Sequence, residues 1–427
     1  MRDKLYLVFT LFGFLFFFSF PLVSRHSDLV APLVDSPAKS IGSDFNGDGI
    51  SDILAGADLN DDIANAAGAV YLLYGSGSFS LSYALNGAGV NVTILGKAAT
   101  NYLGVGATSA GDLNSDGFFD IVMGAPGNDD GATDGGAAYI LYGHPSLSSD
   151  YRLDGGGVDA TILGKAASDN LGGRNGTNGA GDVNGDGFDD LVVGAPLNND
   201  GPGANNAGAA YILYGGGTAF SGTINIAATA DTDVTVLGKA ASDALGDAVS
   251  SAGDVNSDGF DDVIIGAYGN GDNGASSGGA LYVLFGGSSL SATIRTDGAG
   301  ADVTLLGGSA ISSFGRALSG LGDVNGDGFV DFGTGAFNDD NVGGTDAGAV
   351  YLIYGRLFGS ATTISMATEG PNVTIVGNTA VDDRLGRSLH SGAGDVNDDG
   401  FFDIISGADD TATVNSEGTT YIIYGGP

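Results

Sequence analysis

One nine-residue pattern of aspartate, asparagine and glycine occurs six times in this chain. It reads Asp-x-Asn-x-Asp-Gly-x-x-Asp, and the copies start at Asp44, Asp112, Asp182, Asp254, Asp323 and Asp395. Alternate residues of a tight loop can turn their side-chain oxygens inward, and glycine at the sixth position, such as Gly187, permits the turn. Calcium prefers six to eight oxygen ligands at about 2.3–2.6 Å. The pattern therefore predicts one calcium site per copy, or about six calcium ions.

The predicted ligands are the side chains at positions one, three, five and nine of each copy and the backbone carbonyl at position seven. Copy by copy they are Asp44, Asn46, Asp48, Ile50 and Asp52; Asp112, Asn114, Asp116, Phe118 and Asp120; Asp182, Asn184, Asp186, Phe188 and Asp190; Asp254, Asn256, Asp258, Phe260 and Asp262; Asp323, Asn325, Asp327, Phe329 and Asp331; and Asp395, Asn397, Asp399, Phe401 and Asp403.

Two other interpretations of the pattern fit less well. An EF-hand needs an acidic residue at position twelve and flanking helices, whereas the third copy has Val193 there, within an apolar run typical of a strand. Asparagine, aspartate and glycine also form ordinary turns. However, three carboxylates about 5 Å apart repel by roughly 3 kcal/mol per pair at an effective dielectric constant near 20. Keeping that repulsion in every copy favours a bound cation.

The loops belong to repeats of about seventy residues. A segment of the type Gly-Ala-Val-Tyr-Leu-Leu-Tyr-Gly contains Tyr71 and recurs at Tyr139, Tyr211, Tyr282, Tyr351 and Tyr421. A run of the type Val-Thr-Ile-Leu-Gly occurs near Ile94, Ile162, Val236, Leu305 and Ile375, and Leu-Gly or Phe-Gly follows each. In the third repeat the apolar runs are the stretch up to Gly181, then 190–195, 207–215 and 233–238. Short apolar runs bounded by turn residues are typical of strands.

Four strands per repeat and no helical periodicity predict an all-β protein, a β-propeller of six four-stranded blades over residues 25–427. The repeats span about 25–98, 99–168, 169–240, 241–308, 309–380 and 381–427. A seventh blade and a β-solenoid are the alternatives. The propeller is favoured because glycine and alanine dominate the first strand, which would line a crowded central channel. The sixth repeat lacks the Val-Thr-Ile-Leu-Gly run, and we expect residues 29–34 to close the ring in its place.

The N-terminal residues 1–24 have the composition of an export signal. Arg2 and Lys4 precede an apolar run over residues 5–20, and the small residue Ser24 suits cleavage. The run is nearly long enough to remain as an uncleaved membrane anchor instead. Both alternatives predict a secreted or cell-surface protein.

Composition argues against several classes of partner and activity. The formal net charge is −37, from 51 acidic and 14 basic side chains, so nucleic acid and anionic membrane surfaces would be repelled. The chain has no cysteine, and its three histidines have no recurrent partner. We therefore predict that the protein is not an enzyme.

The repeats resemble FG-GAP repeats, the blades of integrin α-subunit heads and of many bacterial surface proteins. Phe314-Gly315 and the Gly-Ala-Pro sequences at 124–126 and 194–196 carry the resemblance. It implies a propeller with calcium between the first two strands of each blade, although integrin heads have seven blades and carry the metal loop in only some. It also implies an extracellular platform for recognition or adhesion, with a protein or glycan ligand. The alternative is an accessory or structural module of a secreted or surface enzyme system.

A second acidic cluster precedes each tyrosine strand, as at Asp129-Asp130, Asn199-Asp200 and Asp339-Asp340. Such clusters could be weaker cation sites, part of a ligand surface, or simply solvated loops, and solvated loops are the favoured interpretation.

Overall fold

The computed structural model describes residues 3–11, 14–22, 44–76, 90–202, 205–227, 232–272, 277–297, 300–308, 312–340, 346–356, 358, 362–377, 383–390, 394–397, 399–408 and 419–427. Strands β1 (Asp3–Leu11) and β2 (Phe14–Leu22) form a separate antiparallel pair. Within the described ranges, no helix is both long enough and apolar enough to cross a membrane. The export-signal interpretation stays a prediction, and the predicted closing segment at 29–34 lies outside the described residues.

Six further sheets follow, one per repeat, and form the six blades of a β-propeller ring, which confirms the predicted fold class. Blade one consists of β3 (Ile53–Ala57), β4 (Ala69–Leu73) and β5 (Val92–Leu95), and blade two consists of β6 (Ala107–Gly111), β7 (Asp120–Ala125), β8 (Ala137–Leu141) and β10 (Ala160–Leu163). Blade three consists of β11 (Thr177–Gly181), β12 (Asp190–Ala195), β13 (Ala209–Leu213) and β15 (Val234–Leu237), and blade four consists of β16 (Leu245–Gly253), β17 (Asp262–Ala267), β18 (Ala280–Leu284) and β20 (Val303–Leu306). Blade five consists of β21 (Ala317–Gly322), β22 (Asp331–Ala336), β23 (Ala349–Ile353) and β25 (Val373–Val376), and blade six consists of β26 (Ser388–His390), β27 (Ile404–Ala408) and β28 (Thr419–Ile423).

Four blades carry an additional outer strand that the four-strand prediction missed. The strands β9 (Asp150–Arg152), β14 (Gly222–Asn225), β19 (Thr293–Arg295) and β24 (Thr362–Ser365) pair in parallel with the outer strand of the preceding blade. In blade one, for example, Tyr151 lies opposite Ile94. These strands have only three or four residues with one apolar residue each, so they are too short to show the apolar alternation that marks a strand in sequence. A short 3₁₀ turn, Leu153–Gly155, follows β9.

The first strands of blades two to six lie around the central axis. Each contacts the first strand of the next blade, from β6 to β11, β16, β21 and β26. Glycine, alanine, serine and threonine make up most of these strands, which agrees with the prediction that small residues line the channel.

The hydrophobic core lies between neighbouring blades. Val192 and Ile212 of blade three pack in one cluster with Val263 and Ile265 of blade four, and all four are buried. Equivalent clusters join the other neighbouring pairs from blade one to blade six. Each blade therefore depends on its neighbours for the burial of its apolar side chains.

The antiparallel order of the strands places the nine-residue patterns on one face of the ring. In blade two, Gly111 ends the first strand and Asp120 begins the second strand, so residues 112–119 connect them. We call this side the aspartate-loop face. The connections from second to third strand, and from each blade to the next first strand, lie on the opposite face.

Candidate metal loops

The first aspartate of each loop holds the loop closed. In the third loop, Asp182 Oδ1 accepts hydrogen bonds from the backbone N–H groups of Gly185 and Asp186, at 2.7 and 3.0 Å. Asp182 Oδ2 accepts a third, from Gly187 at 2.9 Å. The loops starting at Asp44 and Asp323 repeat all three bonds.

The residues at positions three and five form two successive Asx turns. Asn184 Oδ1 accepts from the backbone N–H of Asp186 at 2.8 Å, and Asp186 Oδ1 accepts from that of Phe188 at 3.1 Å. The same pair of turns occurs in every loop. Local hydrogen bonds of this kind fix the direction of the side-chain oxygens.

The ninth-position aspartate has a role in the fold that the sequence did not indicate. Asp190 is fully buried, and its Oδ2 accepts from the backbone N–H of Val183 at 2.9 Å. Its Oδ1 accepts from the backbone N–H of Gly215, after the third strand of the same blade, at 2.8 Å. The equivalent aspartates make the same two bonds: Asp52, Asp120, Asp262, Asp331 and Asp403. The partner after the third strand is the glycine of the Tyr-Gly or Phe-Gly that ends each tyrosine segment. Its recurrence was the sequence feature that could have indicated this bond.

Burial raises the pKa of these ninth-position carboxyl groups above the usual range. The backbone hydrogen bonds oppose the effect, and the carboxylates at positions one and five add to it. The pKa rises to about 6 for Asp52 and Asp331, about 7 for Asp190 and Asp262, and about 8 for Asp120. Burial and, to a smaller extent, the neighbouring carboxylates thus disfavour the ionised form of the ninth carboxyl group.

Successive loops are joined across the blade boundary. The backbone N–H of Asp261, at position eight of the fourth loop, donates to the carbonyl of Asp182 in the third loop at 3.1 Å. The carboxylate of Asp261 accepts from the backbone N–H of Asp182 at 2.9 Å. The ring of Phe260 packs against Gly185, where it would overlap a side chain. The aspartate-loop face is thus a connected rim.

The donor set of each loop suits a hard cation such as calcium. All the predicted ligands are oxygens, and a carboxylate has about four acceptor sites. In the third loop Asp186 and Asp190 each use two acceptor sites on hydrogen bonds, which leaves others for a metal ion. Across the part of the chain that the structure describes, no group of three or more His, Cys, Asp or Glu side chains is arranged to hold a metal ion. The calcium ligands therefore stay a prediction.

The second acidic clusters, on the opposite face, are partly paired with lysines. Lys97 of repeat one bonds Asp130 of repeat two at 2.7 Å, and Lys165 bonds Asp200 at 2.5 Å. Lys239 and Asp272 form the next pair in the series. The solvated-loop interpretation is incomplete here, because these three clusters form ion pairs between consecutive repeats. The lysine of Leu-Gly-Lys, which recurs in repeats one to three, was the sequence feature that could have indicated these ion pairs.

Comparison with known families identifies four of the repeats. The FG-GAP repeat model matches residues 40–73, 104–141, 175–213 and 245–284. The chain is an FG-GAP repeat β-propeller. The four matches lie in repeats one to four, and repeats five and six have the same loop pattern.

The FG-GAP propeller is also similar to integrin α subunits. It is 28% identical to integrin alpha pat-2 of Caenorhabditis elegans over 71% of this chain and 24% of that protein. Integrin alpha-PS2 of Drosophila melanogaster is 33% identical over 38% of this chain and 11% of its own length. Integrin alpha-4 of Xenopus laevis is 29% identical over 57% of this chain and 20% of its own length. The chain thus spans about a quarter or less of the length of these relatives.

Proposed function

We propose that this FG-GAP propeller is an extracellular, calcium-stabilised recognition platform that binds a protein or glycan ligand and has no catalytic activity. The observation that carries the proposal is the similarity to integrin α subunits over 71% of the chain, on a ring with an oxygen-rich loop in each repeat. Integrin α subunits are cell-surface adhesion proteins, and the recognition role comes to this chain from that similarity.

Three features support calcium as the partner of the aspartate loops. The donors at positions one, three, five, seven and nine are all oxygens, the pattern is intact in all six copies, and the formal net charge is −37. A bound calcium ion would supply the positive charge that offsets the repulsion among the three carboxylates. Because the loops of blades one to five are bonded to the next blade, ion binding at those loops would also stabilise the blade boundary.

The opposite face is the better candidate for ligand binding. The aspartate-loop face is joined from blade to blade by backbone hydrogen bonds and aromatic packing, as at Asp182–Asp261 and Gly185–Phe260. The opposite face carries the connections from second to third strand and from each blade to the next, and surface loops on a rigid scaffold are the usual place for binding residues.

A calcium titration followed by thermal melting tests the metal part of the proposal. We expect the melting temperature to rise with calcium and to fall when a chelator is added, because a ligand that binds only the folded state stabilises it. Magnesium at the same concentration is the control and should have a smaller effect, since it dehydrates reluctantly. A melting temperature that is indifferent to chelator would overturn calcium binding.

A binding screen tests the recognition part. The purified propeller is applied to a glycan array and to a panel of immobilised extracellular proteins, with calcium and again with chelator. We expect the propeller to bind at least one glycan or protein in a calcium-dependent way and to convert none of them into a product. No retention at any protein concentration up to about 100 μM, the weak end of specific binding, would contradict a recognition role. Turnover of a panel member would favour an enzyme-associated role instead.

A further inference from the structure

A cavity of about 200 Å³ lies at the outer rim of the ring, between blades four and five. Its wall includes Leu305 of the outer strand of blade four and Ile353 of the third strand of blade five. Ile364 of β24 and Met366, which follows that strand, complete the apolar part. All four side chains are buried and belong to the hydrophobic cluster that joins the two blades. The cavity therefore opens from this core to the surface.

The segment that covers the cavity, residues 366–372, is anchored to both blades. The backbone N–H of Met366 donates to the carbonyl of Leu306 in blade four at 2.9 Å. The backbone N–H of Asn372 donates to the carbonyl of Leu352 in blade five at 3.0 Å. The wall is thus held in place by backbone hydrogen bonds, as in a binding site that is formed before its ligand arrives.

One positive and one negative side chain line the same cavity, Arg356 and Glu369. The Cζ atom of Arg356 lies over the Phe358 ring, 4.9 Å from its centre, and this contact leaves the N–H groups of the guanidinium available. Both charged residues are exposed, and among the described residues neither side chain has an ion-pair or hydrogen-bond partner. Asn372 adds a polar group, since its Oδ1 accepts from the backbone N–H of Tyr354 at 2.8 Å and its amide NH₂ remains as a donor.

The arginine is particular to this blade boundary. The residue that follows the recurrent Tyr-Gly or Phe-Gly is Arg356 in repeat five, whereas in the other repeats it is Ser76, His144, Gly216, Gly287 and Gly426. The backbone N–H of Arg356 donates to the carbonyl of Val255 in the preceding blade at 3.0 Å, and that of Gly287 makes the equivalent bond to Val183 at 2.8 Å. The fold therefore does not require an arginine here, and its side chain is available for another role.

We propose that this cavity binds a free apolar amino acid, with its carboxylate on Arg356 and Asn372, its ammonium group on Glu369 and its side chain against the apolar wall. The planar fork of arginine matches the two oxygens of a carboxylate. A simple carboxylic acid would leave Glu369 unpaired and a simple amine would leave Arg356 unpaired, whereas a zwitterion satisfies both.

The size of the cavity sets the size of the ligand. An apolar cavity of about 150 Å³ is large enough to hold benzene. A cavity of about 200 Å³ therefore suits a side chain such as that of phenylalanine or leucine. This inference goes beyond the proposed recognition role and does not depend on it.

Calorimetric titration with three related ligands tests the proposal. The ligands are L-phenylalanine, which carries both charges, N-acetyl-L-phenylalanine, which keeps only the carboxylate, and L-phenylalanine amide, which keeps only the ammonium group. We expect saturable binding of L-phenylalanine. Each of the other two should bind more weakly, on the order of tenfold or more, because each has lost one charged hydrogen-bonding group. Equal binding of all three, or no saturable binding of L-phenylalanine up to about 1 mM, would overturn the proposal.

Two variants test the charged contacts one at a time. Arg356→Gln should weaken the binding of L-phenylalanine and remove its advantage over the amide. Glu369→Gln should weaken binding and remove the advantage of L-phenylalanine over its N-acetyl form. Arg152→Gln is the matched control, because Arg152 is an exposed arginine paired with Asp154 on blade one, and it should leave binding unchanged. Unchanged binding by Arg356→Gln, in a protein that melts like the wild type, would overturn the site.

Discussion

A Cβ atom on Gly124 would overlap the carbonyl oxygen of Gly172 in the neighbouring blade. Gly124 belongs to the Gly-Ala-Pro of blade two, and Gly172 belongs to the Leu-Gly before the first strand of blade three. The Gly172 N–H in turn donates to the carbonyl of Gly194, in the Gly-Ala-Pro of its own blade, at 3.0 Å. The same overlap occurs at 56–104, 194–246, 266–315 and 335–386. The Gly-Ala of the second strand in one blade therefore contacts the Leu-Gly or Phe-Gly of the next repeat, and this contact sets the distance between the two blades.

The variant Gly124→Ala should destabilise the propeller by about 1–3 kcal/mol, because the added methyl group forces two backbones apart. Chemical denaturation measures the change in the free energy of unfolding. Gly216→Ala is the control, since a Cβ there meets nothing within 4 Å. Equal stability of the two variants would argue against close packing at the blade boundary.

The variant Asp186→Ala should lose one calcium ion and lower the melting temperature in calcium but hardly in chelator. Asp186 lies at position five of the third loop, and its own hydrogen bonds are local and exposed. Calorimetric titration gives the number of ions bound. Asp154→Ala removes an exposed aspartate outside the loops and should leave that number unchanged. An unchanged number of ions in Asp186→Ala would remove this residue from the ligand set.

The variant Asp190→Asn should be destabilised in chelator as well as in calcium. Asp190 accepts backbone hydrogen bonds from Val183 and Gly215, and an amide group can accept only one of them with its oxygen. Leaving one buried N–H without a partner costs about 1–3 kcal/mol. The contrast with Asp186→Ala separates the structural role of position nine from metal binding. A wild-type melting temperature of Asp190→Asn in chelator would refute that structural role.

Breaking the Lys97–Asp130 ion pair should cost less than about 1 kcal/mol, because both side chains are partly exposed. A double-mutant cycle with Lys97→Ala and Asp130→Ala measures the coupling energy between them. The coupling should shrink as salt is added, since screening weakens exposed charge pairs. A coupling energy of zero at low salt would show that the pair does not contribute to blade docking.

The buried His390 should lower the stability of the propeller in acid, whereas the ninth-position aspartates, whose pKa values are raised, act in the opposite direction. Burial lowers the pKa of His390 from 6.5 to about 4, and its Nε2 has no hydrogen-bond partner among the described residues. Between those values the unfolded chain binds a proton at His390 that the folded chain excludes, so the contribution of His390 to stability falls as pH falls from about 6.5 to 4. Melting curves of wild type and His390→Gln across this range test it. Relative to the wild type, the variant should gain stability as the pH falls through this range, and parallel curves would rule out a contribution from His390.

The sequence alone determined the repeat length, the propeller and the positions of the six loops. Local rules were sufficient for these features: glycine and aspartate spacing specifies each turn, and short apolar runs such as 190–195 specify each strand. The repetition removed ambiguity, since a pattern present in every repeat, such as Asp182–Asp190, cannot easily be accidental.

Only the tertiary structure decided the partners of individual side chains. The bond from Asp190 to Gly215, the overlap of Gly124 with Gly172, the pairing of Lys97 with Asp130 and the contact of Asn175 with Arg316 join residues that are 25 to 141 positions apart. Such contacts arise because the chain closes into a ring that brings successive repeats side by side and distant repeats to a common axis. No local sequence pattern specifies which residue of another blade a given side chain will contact.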